Sequence, residues 1–149
     1  MKKSFNFHAL RIVPLAVLLL TFFSFSVKPG GEGFEIFKNN KLVLQQFGSD
    51  MEKIKTLQLD NVSSSDQLTI RYYHCGRIGK NRHIILRSSD NKELKNWQFA
   101  NMSSKDQGMS FRPADVFTAK GKKATLVNVY YTSTEIPRER HLVTLQLNS

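Results

Sequence analysis

LTIRYYHCGRIGKNRHIILR, residues 68–87, alternates apolar and polar side chains on both sides of a glycine-containing interruption. Successive side chains of a strand point to opposite faces. One face of the first half then carries Leu68, Ile70, Tyr72 and His74, and the other Thr69, Arg71, Tyr73 and Cys75. In the second half Arg82, Ile84, Leu86 and Ser88 share a face, and His83, Ile85 and Arg87 take the other. The stretch predicts a β-hairpin with a five-residue turn, Gly76–Lys80, that sets Ile70 opposite Leu86 and Tyr72 opposite Ile84. A slip of one residue would bring Arg87 opposite Ile70 and mix charge into the buried face.

The same stretch holds the one cysteine, two of the four histidines and a cluster of basic residues, so the expected chemistry centres on it. In the expected register His74 and His83 point to opposite sides of the sheet, which argues against a two-histidine metal site. Cys75 and His83 share a face on a diagonal within side-chain reach. Such a pair is able to form an activated thiolate or two metal ligands. The plainer reading makes Cys75 a packed or capping residue at a strand end and His83 a solvated one. Arg71, Tyr73, Lys80 and Arg82 form the candidate ligand-binding set, since arginine over an aromatic platform suits anionic sugars, phosphates or single-stranded nucleic acid. Basic turns also serve as ordinary solubilising surface.

Outside this stretch the β rhythm continues. FEIF and KLVLQQF flank Asn39-Asn40, a pair that tolerates the positive φ angles of a type I′ turn. KIKTLQL (53–59), ELKNWQFA (93–100), ATLVNVYYT (124–132) and RHLVTLQL (140–147) follow. Val127, Val129 and Tyr131 should share a buried face, as should Val143, Leu145 and Leu147, with His141 on their side. A short helical turn is expected near 113–118, with Pro113 in its first turn and Val116 and Phe117 on the core. About eight short strands separated by turn residues indicate an all-β antiparallel sandwich or jelly-roll-like domain.

The N-terminus reads as an address rather than fold. Lys2, Lys3 and Arg11 precede an apolar run from Ile12 to Phe25, and Ser24 and Ser26 supply small residues before a cut ahead of Val27. That run is short against the roughly 20 residues of a spanning helix. We expect a signal peptide over 1–26, a Pro/Gly-rich leader over 27–33 and one β-sandwich domain over 34–149. The processed chain keeps 19 of the 22 lysines and arginines and all 12 acids, leaving a formal charge of +7. One cysteine forms no internal bridge, so stability must come from packing. No HExxH, CxxC or GxSxG motif occurs, and Gly30-Gly31-Glu32-Gly33 lacks the Lys-Ser/Thr of a phosphate loop. The sequons at Asn61 and Asn101 matter only in a source that glycosylates them.

GEGFEIFKNNKLVLQQF, YYHCG, GKNR and the later VYYTS resemble the sequences of a group of small exported bacterial proteins. The resemblance implies an exported β domain of a bacterial envelope and carries over no active-site residue. The expected function is a periplasmic or secreted, non-catalytic binding module for an acidic partner, another envelope protein or an anionic glycan. Nucleic acid is a poor default partner, no cofactor is expected, and no membrane span should remain after processing. The alternatives are a small thiol-based enzyme using Cys75 with His83, and an accessory subunit that retains its first segment as an anchor.

Overall fold

The computed structural model describes residues 31–104, 107–120 and 125–148; the expected signal peptide lies outside them. The chain opens with β1 (Glu32–Lys38) and β2 (Lys41–Phe47), joined through Asn39 and Asn40 at φ 51° and 65°. Two consecutive left-handed residues make the type I′ turn, and asparagine accepts that region at low cost. A 3-10 turn (Gly48–Glu52) leads to β3 (Lys55–Leu59), and then come β4 (Leu68–His74), β5 (Arg82–Ser88) and β6 (Glu93–Phe99). The short β7 (Met109–Phe111), helix α1 (Pro113–Lys120), β8 (Leu126–Thr132) and β9 (Arg140–Leu147) complete the described chain. Nine strands form two sheets, one in the order β2-β1-β4-β7 and one in the order β3-β9-β8-β5-β6. All pairings are antiparallel except that of β3 with β9.

The expected hairpin over 68–87 does not form. β4 pairs with β1 and β7 in the first sheet, and β5 pairs with β6 and β8 in the second. Residues 75–81 therefore cross between the sheets. The division into faces survives the change: Leu68, Ile70, Tyr72 and His74 are buried, as are Arg82, Ile84, Leu86 and Ser88. The two apolar rows face each other across the core instead of lying side by side. The crossover gives both strands two partners each, with Ile70 between Ile36 and Met109 and Leu86 beside Val129.

The core is built from the inward rows of both sheets. Phe34, Ile36 and Tyr72 come from the first, and Ile84, Val129, Tyr131, Val143 and Leu145 from the second. Two aromatic pairs bridge the layers: Tyr72 stacks on Tyr131 at 4.2 Å between centroids, and Trp97 on Phe111 at 4.7 Å. Helix α1 runs two residues beyond the expected turn. Pro113 opens it, Val116 is fully buried, and Phe117 packs partly against the core. Among the described residues no helix is long and apolar enough to cross a membrane.

One expected face is corrected. A bulge between Val129 and Tyr130 makes two residues of β9 oppose one of β8, so both Leu142 and Val143 turn inward. His141 consequently leaves the inner face and stacks on Tyr130 at 4.6 Å. An extra residue in one strand shifts the alternation of everything before it.

Core and edge positions should respond differently to truncation. Leu86→Ala removes a fully buried side chain and should cost about 2–5 kcal/mol in urea unfolding. Leu42→Ala, on the exposed edge strand β2, should stay within about 0.5 kcal/mol. Equal losses at both positions would contradict this core.

Candidate functional site

The four residues expected to bind ligand occupy three separate places. Arg71 and Tyr73 lie on the outer face of the first sheet, both half-buried. The Arg71 guanidinium sits over the Phe37 ring at 4.6 Å, and its Nε is buried without a hydrogen-bond partner. Tyr73 donates its hydroxyl proton to Glu35 at 2.7 Å and packs against Phe47 at 5.7 Å. Burial, then the Glu35 carboxylate, pushes the Tyr73 phenol up to about 12. Lys80 is exposed on the crossover, where its backbone N–H donates to Glu135.

Arg82 lies inside the fold, apart from the outer-face pair. It is 2 % exposed, its Nε donates to the Ala100 carbonyl at 2.9 Å and its Nη1 to that of Gln107 at 3.0 Å. Its position on the face of Ile84 and Leu86 turns it inward, where its donors hold loop carbonyls rather than facing solvent.

Cys75 and His83 do not share a ladder, because β4, which Cys75 follows, and β5, which holds His83, belong to different sheets. Cys75 follows β4, exposed, with φ 52°, and Gly76 continues the left-handed course at φ 86°. His83 stands on the outer face of the second sheet, its ring nitrogens 2.9 Å and 3.2 Å from the amide oxygens of Asn96 and Asn81. His74 and His83 are kept apart by this separation of sheets, and not by opposite faces of one hairpin.

The crossover instead places Cys75 at the mouth of a cleft of about 320 Å³ at one end of the sandwich. Its floor is His74, 3 % exposed, whose Nε2 lies 2.9 Å from the Tyr131 hydroxyl and whose Nδ1 is buried with no partner. The neighbouring Glu32 carboxylate accepts from Arg140 at 2.9 Å and 3.2 Å and from the Tyr72 hydroxyl. Glu135 accepts from the Lys80 amide and from the Ser133 hydroxyl at 3.0 Å. Burial pushes its carboxyl up, but these donors outweigh it and hold the group below the ordinary carboxylate range. Arg77 and Arg138 complete the rim. Burial pushes the Tyr131 phenol up to about 12, so the hydroxyl facing His74 keeps its proton. Sequence reading missed this cluster because its members come from β1, β4, β9 and two loops. No family model matches the chain, and no curated protein matches it either.

Two outcomes follow from this geometry. Burial holds both His74 and His141 below the ordinary histidine range. Around His74, Glu135 and Glu32 oppose that shift, while Arg77 and Arg82 add to it. The unfolded chain then binds more protons than the native one, so stability should fall as pH drops through about 6.5. His74→Gln should flatten, without abolishing, that slope in urea midpoints measured between pH 7.5 and 5.5. A slope unchanged by the substitution would assign the dependence elsewhere. Separately, Arg82→Ala strands two partly buried carbonyls and should cost about 2–3 kcal/mol, whereas Lys80→Ala should cost under about 0.5 kcal/mol. Thermal melts of the two variants compare them directly.

Proposed function

We propose that this protein is an exported, non-catalytic binding module that presents the outer face of its first sheet to an anionic glycan of the bacterial envelope. The observation that carries the reading is the Arg71 guanidinium over the Phe37 ring, on the face it shares with Tyr73, with its Nε unpartnered. Phe37 and Phe47 supply half-buried aromatic surface on the same side, and Glu35 fixes the Tyr73 ring through its hydroxyl. An aromatic face packs against the apolar side of a sugar ring, while a planar guanidinium pairs with a carboxylate or with adjacent hydroxyls. The basic surplus of the chain supports an acidic polymer over a neutral one. The expected leader over 1–26 supports export, and the intact mass of the protein recovered outside the cytoplasm would test its removal.

Affinity electrophoresis in gels containing polygalacturonate, with dextran as the neutral comparison, tests the binding face. The wild type should be retarded by the acidic polymer, less so as salt is raised. Arg71→Ala combined with Tyr73→Ala should weaken retardation at least tenfold, and Lys80→Ala should change it little. Retardation that ignores both salt and the double substitution would remove this face from consideration.

A further inference from the structure

The end cleft carries chemistry that the outer-face reading does not use. Both of its carboxylates are already engaged, Glu32 with Arg140 and Tyr72, and Glu135 with the Lys80 amide and Ser133. Among the described residues Arg77 and Arg138 make no ion pair, and both line the cleft. The rim therefore has two cations without carboxylate partners. His74 also lines the cleft, and its buried Nδ1 has no hydrogen-bond partner. A buried polar atom left unpaired is costly, and a bound water, ion or ligand group that pairs with it removes that cost. The turn at the end of β4 brings these groups together: the Arg77 amide donates to the His74 carbonyl at 3.1 Å, folding Arg77 back beside the strand it follows.

We propose that this cleft is a binding site for a small molecule bearing an oxyanion, a phosphate or a carboxylate, with Arg77 and Arg138 clamping the anion and His74 Nδ1 forming the inner hydrogen bond. Guanidinium groups match the oxygens of either anion with paired donors. The volume of about 320 Å³ exceeds that of a bare ion and falls at the lower end of small-ligand sites. Ile136 and Pro137 give the remainder of the ligand an apolar wall. Cys75, exposed at the mouth, is the chain's one thiol and reports occupancy from inside the site.

Inorganic phosphate and acetate serve as separate probes of the full chain. Each is titrated while the His74 ring resonances are followed by NMR and Cys75 alkylation by iodoacetamide is timed. The site predicts saturable shifts at His74 and slower alkylation, weakened by added sodium chloride, and the stronger of the two anions identifies the headgroup. Arg77→Ala with Arg138→Ala replaces two exposed side chains and should weaken binding at least tenfold. Arg71→Ala, on the glycan-binding face, should leave it unchanged. Saturation of neither anion, or equal affinity in the Arg77/Arg138 double variant, would overturn the proposal. Polygalacturonate retardation in that double variant reports on the outer face independently, so the two sites fail separately.

Discussion

The stack of Tyr72 on Tyr131 constrains the rest of the interior. It joins the sheets at 4.2 Å between ring centroids, with the planes within 18° of each other. Phenylalanine would supply the same contact area, but tyrosine brings a hydroxyl that must find a partner once buried. Tyr72 finds the Glu32 carboxylate, and Tyr131 finds His74. Glu32, now drawn toward the interior, is neutralised by Arg140 from β9. One aromatic contact thus recruits a carboxylate, a guanidinium and an imidazole to the same end of the sandwich. Elsewhere the core is filled by residues such as Leu59, Val127, Leu145 and Leu147, which make no such demands.

Much of this architecture is legible in the alternation of residues. Buried faces for β4, β5 and β8 follow from period two, and the Asn39-Asn40 turn follows from the backbone tolerance of asparagine. What period two does not encode is which strand lies beside which. A row such as Leu68, Ile70 and Tyr72 is equally satisfied by a neighbour in its own sheet or by a row across the core. The glycines at 76 and 79 suit a hairpin turn and a crossover alike. The pairing is settled by long-range partners, Ile36 and Met109 for Ile70, and Val129 for Leu86. None of these is close in the chain.

Bulges set a second limit on sequence reading. At Ile36/Phe37, Leu86/Arg87 and Val129/Tyr130 the registers shift. Each shift reverses the parity of residues on one side of it, and none is marked by glycine or proline at the bulge itself. His141 changes faces for this reason alone. The four ligand candidates separate for another reason: Arg71 and Tyr73 keep their expected outward direction, while Lys80 lies on a crossover in place of a turn and Arg82 opens the strand that follows it. The end cleft was illegible because it depends on residues 108 positions apart, such as Glu32 and Arg140, meeting through both sheets.

Arg82 shows why a charge is kept inside this β domain. Two connections between the sheets lie near it, 75–81 and one described over 100–104 and 107–108. They cannot pair as strands, so their backbone groups need other partners. Some are found directly, as where the Met102 amide donates to the Gly79 carbonyl at 2.9 Å and the Asn81 amide to the Asn101 side chain. The carbonyls of Ala100 and Gln107 are instead met by the long guanidinium side chain, which reaches both. An apolar residue at 82 would fill the space without supplying those donors. With the crossover held in this way, Gly79 lies so close to His74 that a Cβ there would stand 2.5 Å from Nε2. Glycine is required at 79 by that approach and not by its φ angle. The buried arginine is thereby linked to the cleft: it holds the connection that carries Met102, whose amide donates to Gly79, the residue packed against the histidine.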